Sequence, residues 1–378
     1  MPAVLTAIGT DATNSFKDLS GISVFVQRKQ KHAGGCNGCT AGGGRTTASS
    51  SPPGSPSSNS TEMSDTDDDS ANQTSDDIDN PYDVLIQACD NNPKHIATAY
   101  SRHRTARNAL SRSTIVAPDF PGPTIDPLLT RLIAHSPSLT QLVEDDALDP
   151  RHGLVFWARP NEGVKRLIGE VQRRLLEAQT SGGASVPGKQ FWTMPRDNLH
   201  ITALEVTHST TYSAVESLIG SIGRPLLEKM VAWPKGKGVR LGKPLLSYDK
   251  AALAISFLPL EGGKNKRYTY HHLRRDLWGI LEKGGFDVDS RYIVPSAHVT
   301  VGRFFRTVST EGVEEPGAVQ MEMKRWIRVI DSINDWLEKE GENYMRGENG
   351  EGDPFWEMES PLVLRKGRLW YGGGDSVL

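Results

Sequence analysis

Two segments of this chain carry the same strand-like pattern, and together they limit its fold more than any other feature. The later one, Pro295 to Phe304, reads Pro-Ser-Ala-His-Val-Thr-Val-Gly-Arg-Phe. In a strand, residues i and i+2 share a face, so His298 and Thr300 project together, about 7 Å apart. Val299 and Val301 then pack behind them. The earlier one, Asn198 to Val206, reads Asn-Leu-His-Ile-Thr-Ala-Leu-Glu-Val and sets His200 beside Thr202 in the same way.

The letters alone are a weak signal, because four of the ten His have Thr two residues later. His103 sits in an Arg-rich, helix-like stretch and His208 in a polar, turn-like run, both without strand alternation. The other two copies each close a longer unit. In the first, the β-rich run Leu154 to Ala158 precedes a helix pattern at Val164, Leu167, Ile168, Val171, Leu175 and Leu176. In the second, Ala251 to Leu258 precedes a helix pattern at Tyr270, Leu273, Leu277, Ile280 and Leu281. Gly284-Gly285 ends that helix, and a strand pair leads to His298. Leu154 stands 46 residues before His200, and Ala252 stands 46 before His298. The repeated order at one period reads as an internal duplication.

Residues 1–80 read as a disordered, low-complexity tail. Ser, Thr, Gly, Pro and Asn dominate Ala33 to Ser60, an acidic run follows from Asp65 to Asp79, and neither supplies apolar surface for a core. Ser64 and Ser75 precede acidic residues, so a phosphorylated regulatory tail is the sharper alternative to a solubilising one. Cys36 and Cys39 form a C-x-x-C without the second ligand pair a zinc site needs. No βαβ unit adjoins them for redox chemistry. Cys89 reads as a small core residue.

Residues 81–150 read as a helical extension. One helix pattern runs from Tyr82 to Ala106, and Pro118, Pro121 and Pro123 break it. A shorter helix runs from Asp126 to about Val143. A further helix spans Tyr212 to about Val231, and strand-like runs cover Gly238 to Tyr248 and Ala251 to Leu258. An amphipathic helix carries Met323, Trp326, Ile327, Ile330, Ile333 and Trp336. The polar stretch Glu338 to Asp353 reads as a loop, and Leu362 to Tyr371 as a last hairpin. The hydrophobic fraction of 37% fits a globular part diluted by the tail. A net charge of -3 excludes whole-chain polyelectrolyte behaviour. No apolar run of about 18 residues exists to span a membrane. An intracellular protein, cytoplasmic or nuclear, monomeric and without a membrane partner, is the expectation.

Two strands of this kind facing one cleft bring together two imidazoles and two hydroxyls. One neutral His can take a proton from an attacking water or hydroxyl, and a protonated one can give a proton to the leaving oxygen. Both forms exist near neutral pH for an unperturbed imidazole. The Thr hydroxyls can donate to phosphate oxygens. For either His alone, a half-buried strand histidine is the simpler reading; the duplication favours the functional one.

On these residues the chain resembles the 2H phosphoesterase superfamily, named for its two H-x-T/S motifs. It is similar in layout to 2′-5′ RNA ligases and cyclic nucleotide phosphodiesterases, fungal members included. The resemblance covers roughly 153–373, and a catalytic domain of 151–374 is expected. It implies an α+β, bilobal, duplicated fold: two antiparallel sheets face a central cleft, with helices outside. It also implies a metal-independent hydrolase, without cofactor, acting on 2′,3′-cyclic phosphates or RNA 3′ ends. The substrate partner would be a cyclic nucleotide or RNA. By motif match His200, Thr202, His298 and Thr300 are catalytic, and Arg303 reaches phosphate. Phe304, Trp192 and Tyr371 are the expected substrate-binding aromatics, with Phe191 and Trp370 as further candidates. A basic stretch from Lys229 to Arg306, including Lys235, Lys237, Arg240, Lys243, Lys264, Lys266, Arg267 and Arg275, could attract an RNA backbone. An RNA end-processing exonuclease, a 2′-5′ RNA ligase and a non-catalytic RNA-binding module are the rivals. The role of 81–150 stays open, since the minimal family pattern has no counterpart to it.

Overall fold

The computed structural model describes residues 15–17, 23–25, 80–136, 138, 142, 145–180, 191–262, 266–305, 317–346, 350 and 352–378. Most of the expected tail, with Cys36, Cys39, Ser64 and Ser75, lies outside the described residues, as does Lys264. Within the tail one ribbon pairs β1 (Ser15–Lys17) with β2 (Ser23–Phe25), which the reading of a structureless tail did not foresee.

The rest is α+β, built on a large antiparallel sheet. Its strands are β3 (His152–Ala158), β4 (Phe191–Thr193), β5 (Ile201–Thr210), β6 (Arg240–Tyr248), β7 (Ala252–Leu260), β8 (His298–Phe304), β9 (Trp356–Glu357), β10 (Val363–Gly367) and β11 (Asp375–Ser376). They run in the order β11-β10-β3-β5-β8-β7-β6-β9, and β4 also pairs β8. Two separate sheets were expected; the strands instead form one hydrogen-bonded sheet. The join between halves is narrow, a single pair of Ile201 on β5 with Val299 on β8. Beyond it β4 takes over the same edge of β8, pairing Phe191 with Phe304 and Thr193 with Gly302.

The extension packs into the same core rather than standing apart. Its helices are α1 (Asp83–Ala88), α2 (Pro93–Ile115) and α3 (Pro127–His135). The single helix expected from Tyr82 breaks at Asp90 and Asn91, which take positive φ of 52° and 50°. The Asn92 side chain then caps α2 by accepting from Lys94 N. Tyr82, Ile96, Tyr100 and Leu129 are at most 1% exposed and share one continuous apolar cluster with the sheet. Cys89 lies in that cluster as a buried free thiol. Asp126 caps α3, which stops at His135 rather than near Val143.

The helix α4 (Glu162–Thr180) packs against α8 (Ala318–Arg346). Glu338 to Arg346, expected as loop, continues α8. Ile330, Ile333, Leu337, Gly341 and Met345 keep an unbroken buried stripe at helical spacing, so packing overrides the polar composition between them. Gly223, at φ 79°, divides the helix expected over 212–231 into α5 (Tyr212–Ile222) and α6 (Arg224–Val231). The strand pair expected before His298 is also absent. After α7 (Tyr270–Lys283), residues 286–297 run without ladder pairing. Side chains hold that segment instead: Arg274 donates to Val294 O (2.9 Å) and Tyr82 to Tyr292 O (3.2 Å). Among the described residues no helix is long and apolar enough to cross a membrane.

Candidate active-site cleft

The strand register brings the two H-x-T copies together. Antiparallel pairing about Ile201 and Val299 sets His200 across from Thr300, and Thr202 across from His298. The two His are then diagonal neighbours, roughly 7–8 Å apart across the strand pair and somewhat closer at Cβ. Val299 and Val301 are fully buried behind them, each worth about 1.5–3 kcal/mol of burial. All four motif side chains line one cleft of about 720 Å³, part of it open to solvent.

Arg303 joins them through a bulge. Strict alternation from His298 and Thr300 would bring Gly302 and Phe304 to the cleft. The β7–β8 register slips instead between Leu253 and Ala254, so that Thr300 faces Ala254 while Arg303 faces Ala252. The extra residue reverses the parity. Arg303 turns into the cleft, and its buried Nε has no hydrogen-bond partner. Phe304 turns into the core, edge-on to Phe191 and Trp326.

Three expected substrate-binding aromatics are therefore core residues. Phe304 is 7% exposed, Trp192 0% and Tyr371 6%, and none of them lines the cleft. Phe191 is likewise buried at 1%. The Tyr371 hydroxyl donates to Asp126 Oδ2 (2.7 Å), and burial beside that carboxylate pushes the phenol up. The aromatic walls are Trp157, Tyr292 and Trp370. The Trp157 ring stacks on His200, with centroids 3.7 Å apart and planes 17° from parallel. Nothing in the run Leu154 to Ala158 marked Trp157, since both faces of that strand are apolar. Trp370, a further candidate for base stacking, already carries guanidiniums from Arg151 and Arg291, each 4.4 Å from its centroid. Buried carboxylates hold both cations: Asp149 takes Arg151, and Glu205 takes Arg291.

His208 was misplaced by sequence. It lies within β5, lines the cleft and stands 3.6 Å from Asp289 through Nε2. Bulges in the β3–β5 register hid the strand, because they break its alternation after Thr202. His103 lies on α2, as its setting indicated, and is not among the cleft-lining residues. In the basic stretch, Arg240 pairs Glu357, Lys243 pairs Glu342, and Arg275 pairs Asp276 and Asp83. Their charges are partly answered within the protein. Lys237 lies over the Trp233 and Tyr268 rings.

Both motif imidazoles are proton-poor. Burial pulls His200 down to about 3, helped by Arg159, His298 and Arg365 and opposed by its hydrogen bond to Asn198. Burial pulls His298 down to about 4, helped by Arg274, Arg107 and Arg303 and opposed by Asp249. His200 Nδ1 lies 2.7 Å from Asn198 O, and His298 Nδ1 lies 3.0 Å from Ser296 Oγ. The Tyr270 hydroxyl donates to Thr202 O (2.7 Å), which fixes the start of β5 from α7. Among the described residues no group of three or more His, Cys, Asp or Glu side chains is placed to hold a metal ion.

No family model matches this chain, and no curated protein matches it. A conserved protein of unknown function from Agrobacterium tumefaciens strain C58 is similar in structure at a TM-score of 0.37 and 12% identity, over 65% of this chain and 91% of that one. A likeness at that level carries no argument.

Proposed function

We propose that this protein is a metal-independent phosphodiesterase acting on 2′,3′-cyclic phosphates or RNA 3′-terminal phosphodiesters, on a duplicated fold of the 2H phosphoesterase kind. One observation carries the reading: the Ile201–Val299 register centres both H-x-T pairs on one cleft. Each His there has the other copy's Thr across from it. A phosphate held between the two His would meet an imidazole on either side and a hydroxyl from each Thr. Arg303 adds an unpartnered buried donor. One imidazole takes the proton of the attacking water, and the other, as imidazolium, protonates the leaving ribose oxygen. A bound phosphodiester anion favours that imidazolium in a cleft where burial otherwise suppresses it.

The test is a substrate panel. The purified chain is offered 2′,3′-cyclic nucleotides, 2′-5′-linked oligomers and RNA 3′ ends, with and without EDTA. Turnover of at least one phosphodiester that persists in EDTA is expected. Turnover abolished by EDTA would contradict the metal-independent chemistry, and tight RNA binding without any turnover would favour a binding module.

A further inference from the structure

The extension 81–150 reaches the catalytic side of the sheet through α2. Cross-strand partners share a face, and the β7–β8 register sets Ser256 beside His298, Ala254 beside Thr300 and Ala252 beside Arg303. On that face β7 flanks the motif with small side chains. From α2, Arg104 Nη1 donates to Ser256 O (3.1 Å) and to Lys243 O (2.6 Å), which moors the helix along β7 next to the motif.

The inner stripe of α2 runs through Ile96, Tyr100, Arg107 and Leu110, at i, i+4, i+11 and i+14. Ile96 and Tyr100 are buried in the core, but Arg107 is exposed and Leu110 is 61% exposed. The second half of the helix therefore overhangs open space on its inner side. Arg107 stands one turn beyond Arg104, and its charge is felt at His298, where it favours the neutral ring. Two other arginines of α2 are engaged: Arg104 by the two carbonyls and Arg112 by Asp331. Among the described residues no hydrogen bond or ion pair engages Arg107. No acidic residue lies on α2 to answer it.

On the phosphodiesterase reading above, on which this inference rests, the scissile phosphate lies on the cleft floor with Thr202, Thr300 and Arg303. Arg107 is not among the residues lining that floor. It stands at the rim, where it meets another part of the ligand. The other anion of a nucleotide is a further phosphate, and a guanidinium pairs with phosphate through two parallel N–H donors.

We propose that Arg107 binds a second phosphate of the substrate, so that α2 makes the cleft a site for a 2′,3′-cyclic phosphate carrying a further phosphate on its 5′ side. The extension is then part of the substrate site as well as of the core.

The test is binding, which needs no turnover. Three ligands are titrated into the full chain by calorimetry at low salt, where an exposed charge is least screened. They are adenosine 3′-phosphate, adenosine 3′,5′-bisphosphate and the adenylyl dinucleotide that ends in a 3′-phosphate. The wild type is expected to hold at least one of the last two more tightly than the monophosphate. Arg107→Ala should remove that preference, a loss of roughly 10- to 100-fold in Kd, and leave the monophosphate within about twofold. Arg107→Lys should keep part of it. Arg102→Ala removes another exposed arginine of α2, off that stripe, and should leave the preference intact. Whichever ligand gains more through Arg107 tells a 5′ end from an internucleotide link. No preference in the wild type, equal losses on all three ligands, or the same effect from Arg102→Ala would overturn the proposal. A preference lost with Arg107, in a protein that opens no cyclic phosphate, would uphold the site and remove the phosphodiesterase reading instead.

Discussion

A side chain in this cleft acts according to what its second polar atom touches. His200 and His298 carry the same letters in the same motif, yet one leans on a carbonyl and an indole and the other on a hydroxyl among guanidiniums. The motif residues were legible from local alternation, because His and Thr at i and i+2 must share a face. Trp157, Glu205, Arg291 and Ser296 were not, since their places depend on cross-strand register and on the path of residues 286–297. Tyr371 shows how burial corrects a plausible reading. Its hydroxyl serves Asp126, the cap of α3. Tyr371→Phe should cost about 1.5–3 kcal/mol of stability, the usual worth of a hydrogen bond to a charged group, and leave KM unchanged. Urea denaturation beside a substrate titration reads both. A raised KM with stability intact would return Tyr371 to the cleft.

At the scale of elements, bulges decide which residues meet. The slip in β8 brings Arg303 to the cleft and sends Phe304 to the core. It also brings Gly302 under β4, where an added Cβ would stand 2.3 Å from the Phe191 ring and 2.5 Å from Trp192 O. That approach needs glycine. Gly302→Ala should therefore destabilise the protein by about 1–3 kcal/mol or more, as overpacking does, and a lowered melting temperature would show it. An unchanged melting temperature would mean that β4 does not rest on β8 so closely. Periodicity found the long elements, α4, α7 and α8, because each buries a continuous stripe. It missed β4 and β9, three and two residues long, and the slips in β5, because so short a run carries no period of its own.

At the scale of the whole molecule, four imidazoles among the described residues have lowered proton affinity: His200 and His271 at about 3, His272 and His298 at about 4, all chiefly through burial. His271 and His272 belong to the seat of the extension. His271 meets Tyr100 Oη and Tyr82 O, and His272 meets Asn91 Oδ1. The unfolded chain takes up protons on these groups near pH 6.5, whereas the folded one waits until about pH 3–4. The unfolded state thus binds more protons between those limits, and the free energy of unfolding falls as pH falls through them. Denaturation midpoints measured from pH 7 to 4 should drop steadily. A flat profile would mean that these rings are hydrated or already charged. The length and polarity of 81–150 showed helices, but not that they would share the core of the sheet. That depends on contacts such as Tyr82 with Tyr292, made between residues 210 apart in sequence.

The central claim is that one cleft works through both H-x-T copies. It is tested most directly by kcat on a 2′,3′-cyclic nucleotide for the wild type, His200→Ala, His298→Ala and the double variant. His103→Ala serves as the control, and His208 is unsuited to that use because it lines the cleft. Each single variant should fall by roughly 10²–10⁴-fold, the double variant by less than the product, and the control by nothing measurable. Full activity in folded His298→Ala, or a control as damaged as His200→Ala, would contradict the account.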